Sequence, residues 1–186
     1  IEISDDSVAK IGRWPWDRKW HATIVKILKE LGAKGVAFDV IFSEASDPSS
    51  DKVMAEAVRQ AGNVYLSEVI EYSKKYEDKL LQSLPALRKN AKGGGHINLE
   101  PDADGVMRRI SLTRDLDGLK VPQLSFSMAL DEYGAKFSDS YVRHNWLAIP
   151  MKEGPPLRVP LDRHHNFILN WAGKWQESFK HFSYVD

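Results

Sequence analysis

The sequence predicts an α/β fold, in which a mixed sheet has an N-terminal βαβαβ parallel part, an antiparallel hairpin extension and flanking helices. Within residues 1–70, short apolar runs alternate with segments of helical periodicity, the order typical of parallel strands joined by crossover helices. Residues 95–112 instead alternate apolar and polar side chains around a turn, as antiparallel strands do. With 42% hydrophobic residues among 186, the chain can bury a core, and its length predicts a single domain over residues 1–186.

The N-terminal half is expected to supply the parallel part. Residues 1–3 are predicted to form the first strand and residues 17–31 the first crossover helix, because the apolar side chains of the second segment fall on one helical face. Residues 36–42 are almost continuously apolar, which is typical of a strand buried on both faces. A helix over residues 53–61 and a strand over residues 64–70 complete the βαβαβ order, which implies right-handed crossovers.

The segment Gly95–Ile110 is predicted to form the antiparallel hairpin. Ile97 and Leu99 alternate with polar neighbours on the outgoing strand, and Pro101 and Gly105 provide the backbone conformations of a turn. Elsewhere the sequence predicts an irregular excursion over residues 71–79, a weak helix over 80–91, a helix over 123–133, and strands near 146–149, 157–159 and 167–171.

The composition excludes several classes of function. The 26 basic and 26 acidic residues cancel, so no overall field would attract nucleic acid. The absence of cysteine excludes disulfides, thiolate nucleophiles and cysteine-ligated metals. No phosphate-binding glycine loop precedes a helix and no nucleophile elbow is present, so we expect neither a cofactor nor a metal.

Acidic residues follow the predicted parallel strands. Asp5, Asp6 and Glu44 come at the carboxyl ends of strands, where open parallel sheets bind ligands, and Asp39 lies inside the second strand. These acids could bind a cation, an amine or sugar hydroxyls. Alternatively, the first two begin a helix, and Asp39 is a buried acid paired with backbone amides or with Arg13. The sequence leaves both interpretations open.

Arg13 and Trp14 stand at a junction between two helices, followed by Pro15 and Trp16. A planar cation beside two large rings suits stacking on a sugar, cation–π contacts or anchoring of a partner. Alternatively, both indoles close the bottom of the core, and we expect this role for one of the two rings.

The central segment gathers a further set of polar residues. His96 and Asn98 share one face of their strand, while Asp102 and Asp104 lie in the turn and Arg108 returns beside them. Such a set could hold a metal or a hydrolytic water. However, no second histidine has ligand spacing, and the Asp-x-Asp-Gly turn lacks the later carboxylate of a calcium loop.

Several motifs in one order carry a family resemblance. The chain resembles the CHASE type 2 family, an extracytoplasmic sensory domain of bacterial membrane receptors, through Gly12-Arg13-Trp14-Pro15-Trp16, Asp39-Val40-Ile41-Phe42-Ser43-Glu44, Gly95 to Ile110, Val159-Pro160-Leu161-Asp162, Ile168-Leu169-Asn170-Trp171 and Phe182-Ser183-Tyr184-Val185-Asp186. The resemblance covers nearly all of the chain. It implies membrane helices outside both ends, placement in the periplasm or at the cell surface, and a cytoplasmic output such as a histidine kinase, an adenylate or diguanylate cyclase, or a Ser/Thr kinase.

We therefore expect a noncatalytic sensor that binds an unknown small molecule or a periplasmic protein, acts as a homodimer, and holds its two ends close together. The candidate ligand-binding residues are Arg13, Trp14, Asp39, Glu44, His96, Asn98, Asp102, Asp104 and Arg108. One alternative is a metal-assisted or acid-base hydrolase that uses Asp39, Glu44, His96 and Asp102 together. Another is a carbohydrate-binding module, which requires two or more of Trp14, Trp16, Trp146 and Trp175 to be exposed in one plane.

Overall fold

A parallel three-stranded core organises the first half of the chain. In this computed structural model, which describes residues 1–73 and 75–186, strand β2 (Val64–Glu71) pairs in parallel with β1 (Val36–Phe38) and with β4 (Gly93–His96). Tyr65 is in register with both neighbours, so they occupy opposite edges of β2. The short strand β3 (Lys79–Leu81) continues the sheet by antiparallel pairing with the end of β2.

Helices cover both faces of this sheet. Helices α2 (Arg18–Glu30) and α3 (Pro48–Ala61) pack on each other and bury the first core with alternate residues of β1 and β2. Helix α5 (Leu124–Glu132) packs against β2 and β4, and Tyr65 reaches it with a hydrogen bond to Asp131 of 2.7 Å. Two short helices, α1 (Asp5–Ile11) and α4 (Pro85–Arg88), complete this half.

The three consecutive glycines of β4 allow backbone to approach closely. A Cβ atom on Gly95 would lie 2.5 Å from the carbonyl oxygen of Pro122 and 2.8 Å from the nitrogen of Leu124. The strand therefore lies directly against the chain that enters α5, and any larger residue would push the two apart.

The second half builds a separate apolar cluster around the other side of α5. Strands β9 (Trp146–Ile149) and β10 (Leu157–Pro160) contribute apolar side chains to this cluster, and β8 (Tyr141–Arg143) pairs with β9 as the third strand of their sheet. A separate hairpin is formed by β6 (Thr113–Leu116) and β7 (Leu119–Pro122). Strand β5 (Arg109–Ile110) pairs with β11 (Phe167–Ile168), and helix α6 (Trp175–Ser178) follows.

The two ends of the chain pair with each other. Glu2 forms a parallel bridge to Ser183: its N–H donates to Phe182 at 2.8 Å, and its carbonyl accepts from Tyr184 at 2.9 Å. The prediction that the ends lie close together is confirmed.

The α/β class with a mixed sheet is confirmed, but two predicted elements are wrong. Residues 1–3 form no strand of the main sheet, because they pair with the C-terminal segment, and the parallel βαβαβ unit starts at β1 instead. The Gly95–Ile110 hairpin does not form, because β4 joins the parallel sheet while the returning segment pairs with β11. Of the predicted hairpin only the turn is present, closed by the hydrogen bond from the Asp102 N–H to the Val106 carbonyl.

Several boundaries also differ. The strand predicted over 36–42 ends at Phe38, and the weak helix over 80–91 resolves into β3 and α4. The helix over 123–133 and the strands at 146–149 and near 157–159 are confirmed, whereas the strand over 167–171 ends at Ile168. The excursion over 71–79 includes residue 74, which lies outside the described residues.

Candidate functional site

A polar cleft of about 870 Å³ lies between the segment that follows β4 and the loop that precedes β11. It is lined by the segment that follows β4, by the region of β5, and by the loop that precedes β11. The lining residues are Asn98, Glu100, Pro101, Asp102, Ala103, Arg109, Ile110, Ser111, Arg114, Asp162, Arg163, His164 and Asn166. Of the residues predicted from the sequence, the structure brings Asn98 and Asp102 into this cleft.

Asn98 holds the start of the cleft to the main sheet. Its side chain accepts from the Ile70 N–H at 2.9 Å and donates to the Ile70 carbonyl at 2.8 Å, so one amide replaces a strand partner at the end of β2. The next residues of the chain are thereby fixed at the rim of the cleft.

Arginines tie the turn to the rest of the cleft. Arg109 contacts Asp102 at 2.5 Å and Asp162 at 3.1 Å, which links the turn to the loop before β11. Arg108 lies outside the cleft and contacts Asp102 at 3.1 Å and Asp104 at 2.9 Å. These hydrogen bonds hold the pKa of Asp102 below its usual value and that of Asp104 at about 2, so both are ionised at neutral pH.

Asp162 organises the loop on the opposite wall. Burial alone would raise its pKa, but the backbone N–H groups of Asn166 and His164, together with Arg109, lower it overall. One carboxylate oxygen accepts both backbone N–H groups, at 2.9 Å and 2.8 Å, which leaves the other free for Arg109. The loop is therefore preorganised by a single carboxylate.

Arg114 is the most buried cation of the cleft. It donates to Glu100 at 2.7 Å and to the Tyr72 hydroxyl at 3.1 Å, and its guanidinium lies 5.6 Å from the centre of the Tyr72 ring. Its buried Nε has no hydrogen-bond partner within the described part of the chain. A donor left unpaired in this way favours binding of an additional acceptor.

His96 does not line the cleft. It is fully buried in β4, and neither ring nitrogen has a hydrogen-bond partner among the residues that the structure describes. Burial lowers its pKa to about 4, and the nearby Arg114 acts in the same direction; the Ser111 backbone opposes the shift without reaching hydrogen-bonding geometry. The histidine is therefore a neutral residue of the core at neutral pH.

The predicted cluster of acids at the sheet edge is not formed. Asp39 and Glu44 are both exposed, and among the residues that the structure describes only the backbone carbonyl of Glu44 is bound, by Arg18 at 3.1 Å. Asp39 is not the buried acid that one interpretation required. The first helix is capped by Ser4, whose hydroxyl accepts from the Ser7 N–H at 3.3 Å.

Arg13 and Trp14 do not form a joint binding site, because their surroundings differ. Arg13 is exposed and lines neither the polar cleft nor the cavity beside Asp39. Trp14 packs edge to face on Trp16, with ring centres 5.3 Å apart, and on the buried His21 at 5.6 Å. Trp14 therefore belongs to the packing at the chain ends.

The hydrolase alternative loses its geometric basis, and the carbohydrate-binding alternative keeps only two of its four tryptophans, Trp146 and Trp175. Among the described residues, Asp39, Glu44, His96 and Asp102 share no cavity, so the hydrolase set does not converge. Of the four tryptophans proposed for a carbohydrate-binding plane, Trp16 is only 4% exposed and Trp14 is packed against it. No group of three or more potential metal-binding side chains occurs in the part of the chain searched, residues 1–73 and 75–186.

Sequence reasoning missed most of the cleft. Arg109, Arg114, Arg163, His164 and Asn166 come from segments that are far apart in the chain. The one available signal was Asp162, because an aspartate followed by polar residues is typical of a side chain that caps its own loop.

Comparison with known proteins gives one match. The model of the CHASE2 domain matches residues 1–186, the whole chain. No curated protein and no solved structure matches significantly. Among the described residues, no helix has both the length and the apolar character needed to cross a membrane. The chain belongs to the CHASE2 domain family, whose members are extracellular sensory domains of signalling receptors rather than catalytic domains.

Proposed function

We propose that this domain senses a small polar molecule on the outer side of a cell membrane and that the polar cleft is the binding site. The parent receptor would carry a histidine kinase, an adenylate or diguanylate cyclase, or a Ser/Thr kinase as its cytoplasmic output, and the domain would lie in the periplasm or at the cell surface. The observation that carries the proposal is the cleft itself, whose size of about 870 Å³ suits a small ligand.

The lining of the cleft indicates the chemistry of the ligand. Three arginines and three carboxylates line it. The carboxylates Glu100, Asp102 and Asp162 are each paired with an arginine, which disfavours a metal ion as the ligand. Arg163 is exposed, and its guanidinium donates only to His164, at 3.0 Å, within the described residues. A molecule with acceptor groups would use the remaining donors of Arg163 and the unpaired Nε of Arg114.

The connection of the cleft to the chain ends supports a signalling role. The Asp162 loop lines the cleft and leads directly into β11, and the chain then continues to Phe182 and Tyr184, which pair with Glu2. A ligand that moves this loop would alter the pairing of the two ends. Signalling requires only that the ligand bind one arrangement more tightly than the other.

We also propose that the receptor is a homodimer and that the C-terminal aromatic segment contributes to the interface. Trp171, Trp175, Phe179 and Phe182 are each more than half exposed, and this segment leads to the paired ends. Exposed aromatic groups of this kind are typical of interfaces. Sedimentation analysis should show that Trp175→Ala weakens self-association, whereas Trp20→Ala, at an exposed tryptophan of α2, does not. A wild-type chain that stays monomeric at high concentration would refute the dimer.

A thermal-shift screen against amino acids, sugars, organic acids and nucleotides tests the proposed ligand site. A ligand that binds only the folded state must raise the melting temperature in a saturable way. The matched variants are Arg163→Ala, which removes an exposed cleft arginine, and Arg13→Ala, which removes an exposed arginine outside the cleft. We expect only the first to abolish the shift; equal effects, or none, would contradict the proposed site.

A further inference from the structure

The small sheet formed by β8, β9 and β10 has an outer face with an unusual set of side chains. Leu147 and Ile149 of β9 point inward and are buried in the second core, so Trp146 and Ala148 point outward. Register places Arg143 opposite Trp146, while Tyr141 and Arg158 flank Ala148 on its two sides. We call this set the outer face of the small sheet.

The outer face is concave because its central residue is small. Ala148 forms the floor between Tyr141 and Arg158, whose Cα atoms are about 10 Å apart across two strand spacings. Trp146 lies diagonal to both and is 45% exposed. The resulting depression has a volume of about 340 Å³.

The charge that lines this depression is positive. Arg143, His144 and Arg158 line it, and no acidic residue of the described part of the chain does. Within residues 1–73 and 75–186, no carboxylate forms an ion pair with Arg143 or Arg158. The fixed positive charge of Arg143 and Arg158 is therefore available to a ligand, whereas Arg109 and Arg114 of the polar cleft are paired with carboxylates.

We infer that the outer face binds an organic anion in which a carboxylate is attached to a six-membered ring. A guanidinium binds a carboxylate through two parallel hydrogen bonds, and the rings of Trp146 and Tyr141 provide flat apolar surfaces for the body of the molecule. The depression accommodates one such ring, whereas a protein partner would bury about 800 Å² on each side. Two sources share this chemistry: a free aromatic acid and a uronic acid residue of a polysaccharide.

This inference is independent of the proposed function. The depression and the polar cleft share no lining residue. Loss of binding at one site therefore leaves the other available for measurement, and either proposal can fail alone.

Nuclear magnetic resonance titration tests the inference, because it detects weak binding and reads the indole N–H of Trp146 directly. The probes are benzoate and D-glucuronate, with benzyl alcohol and D-glucose as their neutral counterparts. We expect saturable shifts of the Trp146 signal with at least one acid and not with its neutral counterpart. A response to benzoate alone would identify an aromatic acid, and a response to glucuronate alone would identify an acidic saccharide.

Substitutions of Arg143 and Arg158 test whether the acids bind in this depression. Arg143→Gln and Arg158→Gln should each raise the dissociation constant about tenfold or more, because each removes a charged hydrogen-bond donor. Arg158→Lys keeps the charge without the paired N–H groups and should fall between wild type and Arg158→Gln. Lys26→Gln removes an exposed charge from α2 and should have no effect. No shift with either acid, equal shifts with the neutral compounds, or binding that is unchanged in both glutamine variants would overturn the inference.

Discussion

Acidification should destabilise this domain through two buried histidines. His21 and His96 are both fully buried, and burial is the main cause that lowers the pKa of each to about 4. The positive charges of Arg18 near the first and Arg114 near the second act in the same direction. Both histidines are thus neutral in the folded state at pH values where an exposed histidine already takes up a proton.

The sign and size of the effect follow from these values. Between about pH 6.5 and about pH 4 the unfolded chain binds more protons than the folded chain, so the free energy of unfolding falls as the pH decreases. The stability contributed by each neutral histidine is fully present above the unfolded value of 6.5. At about pH 5 the free energy of unfolding should therefore be lower than at neutral pH by roughly 2 kcal/mol for each histidine, or about 4 kcal/mol for both.

His181 has the opposite sign. The carbonyl of Trp175 and the carboxylate of Glu2 raise its pKa, so its stabilising contribution is present below the unfolded value and is lost as the pH rises through the folded value. Carboxylates such as Asp47, Glu56 and Asp104, with pKa values of about 2, titrate below this window. The window near pH 5 to 7 therefore reports on histidines.

Urea unfolding at about pH 7.5 and about pH 5 measures the prediction. His21→Gln and His96→Gln should also lower the stability of the fold at both pH values for reasons other than titration. The quantity compared is therefore the decrease in the free energy of unfolding from about pH 7.5 to about pH 5. Each of these variants should reduce the loss by roughly 2 kcal/mol, whereas His181→Gln should increase it. A loss that is the same in wild type, His21→Gln and His96→Gln would refute the reasoning.

Three further predictions concern the framework of the cleft and the chain ends. Asn98→Ala should lower the free energy of unfolding by about 2 kcal/mol in urea titration, because it removes both hydrogen bonds to Ile70; a loss as small as that of Asn90→Ala, an exposed amide bonded to one carbonyl, would contradict this. Gly95→Ala should cost about 3 kcal/mol or prevent folding, because the new Cβ would overlap backbone at the start of α5, and a native melting temperature would show that the close approach is wrong. Tyr184→Phe should cost about 1–2 kcal/mol and speed amide hydrogen exchange at the chain ends, because it removes the 2.8 Å hydrogen bond to the buried His21; unchanged exchange would argue against this role.

The sequence predicted the elements whose pattern is local. Helix α5 is predictable because its apolar positions and the following Gly134 are all near in sequence. Strand β2 was identified from its apolar run. By contrast, the hairpin of β6 and β7 was overlooked, although its turn residues Asp117 and Gly118 have the positive φ values that such a pair favours.

What the sequence could not predict depends on long-range pairing. Periodicity shows that a segment is a strand but not which strand it pairs with, so residues 1–3 and the returning half of the expected hairpin were given wrong partners. The cleft was missed for the same reason. Arg109 and Asp162 are 3.1 Å apart, yet no local spacing relates them. Only Asn98 and Asp102 were found, because they lie close to the turn that the sequence does reveal.

The most direct test of the central claim is amide hydrogen exchange at Glu2 and Tyr184, whose N–H groups hold the two chain ends together. It would be measured with and without the compound that gives the largest thermal shift, in wild type and in Arg163→Ala. If occupation of the cleft changes the pairing of the ends, exchange at these two amides should change with the same concentration dependence as binding, and only in wild type. Saturable binding in the cleft that leaves both exchange rates unchanged would contradict the account.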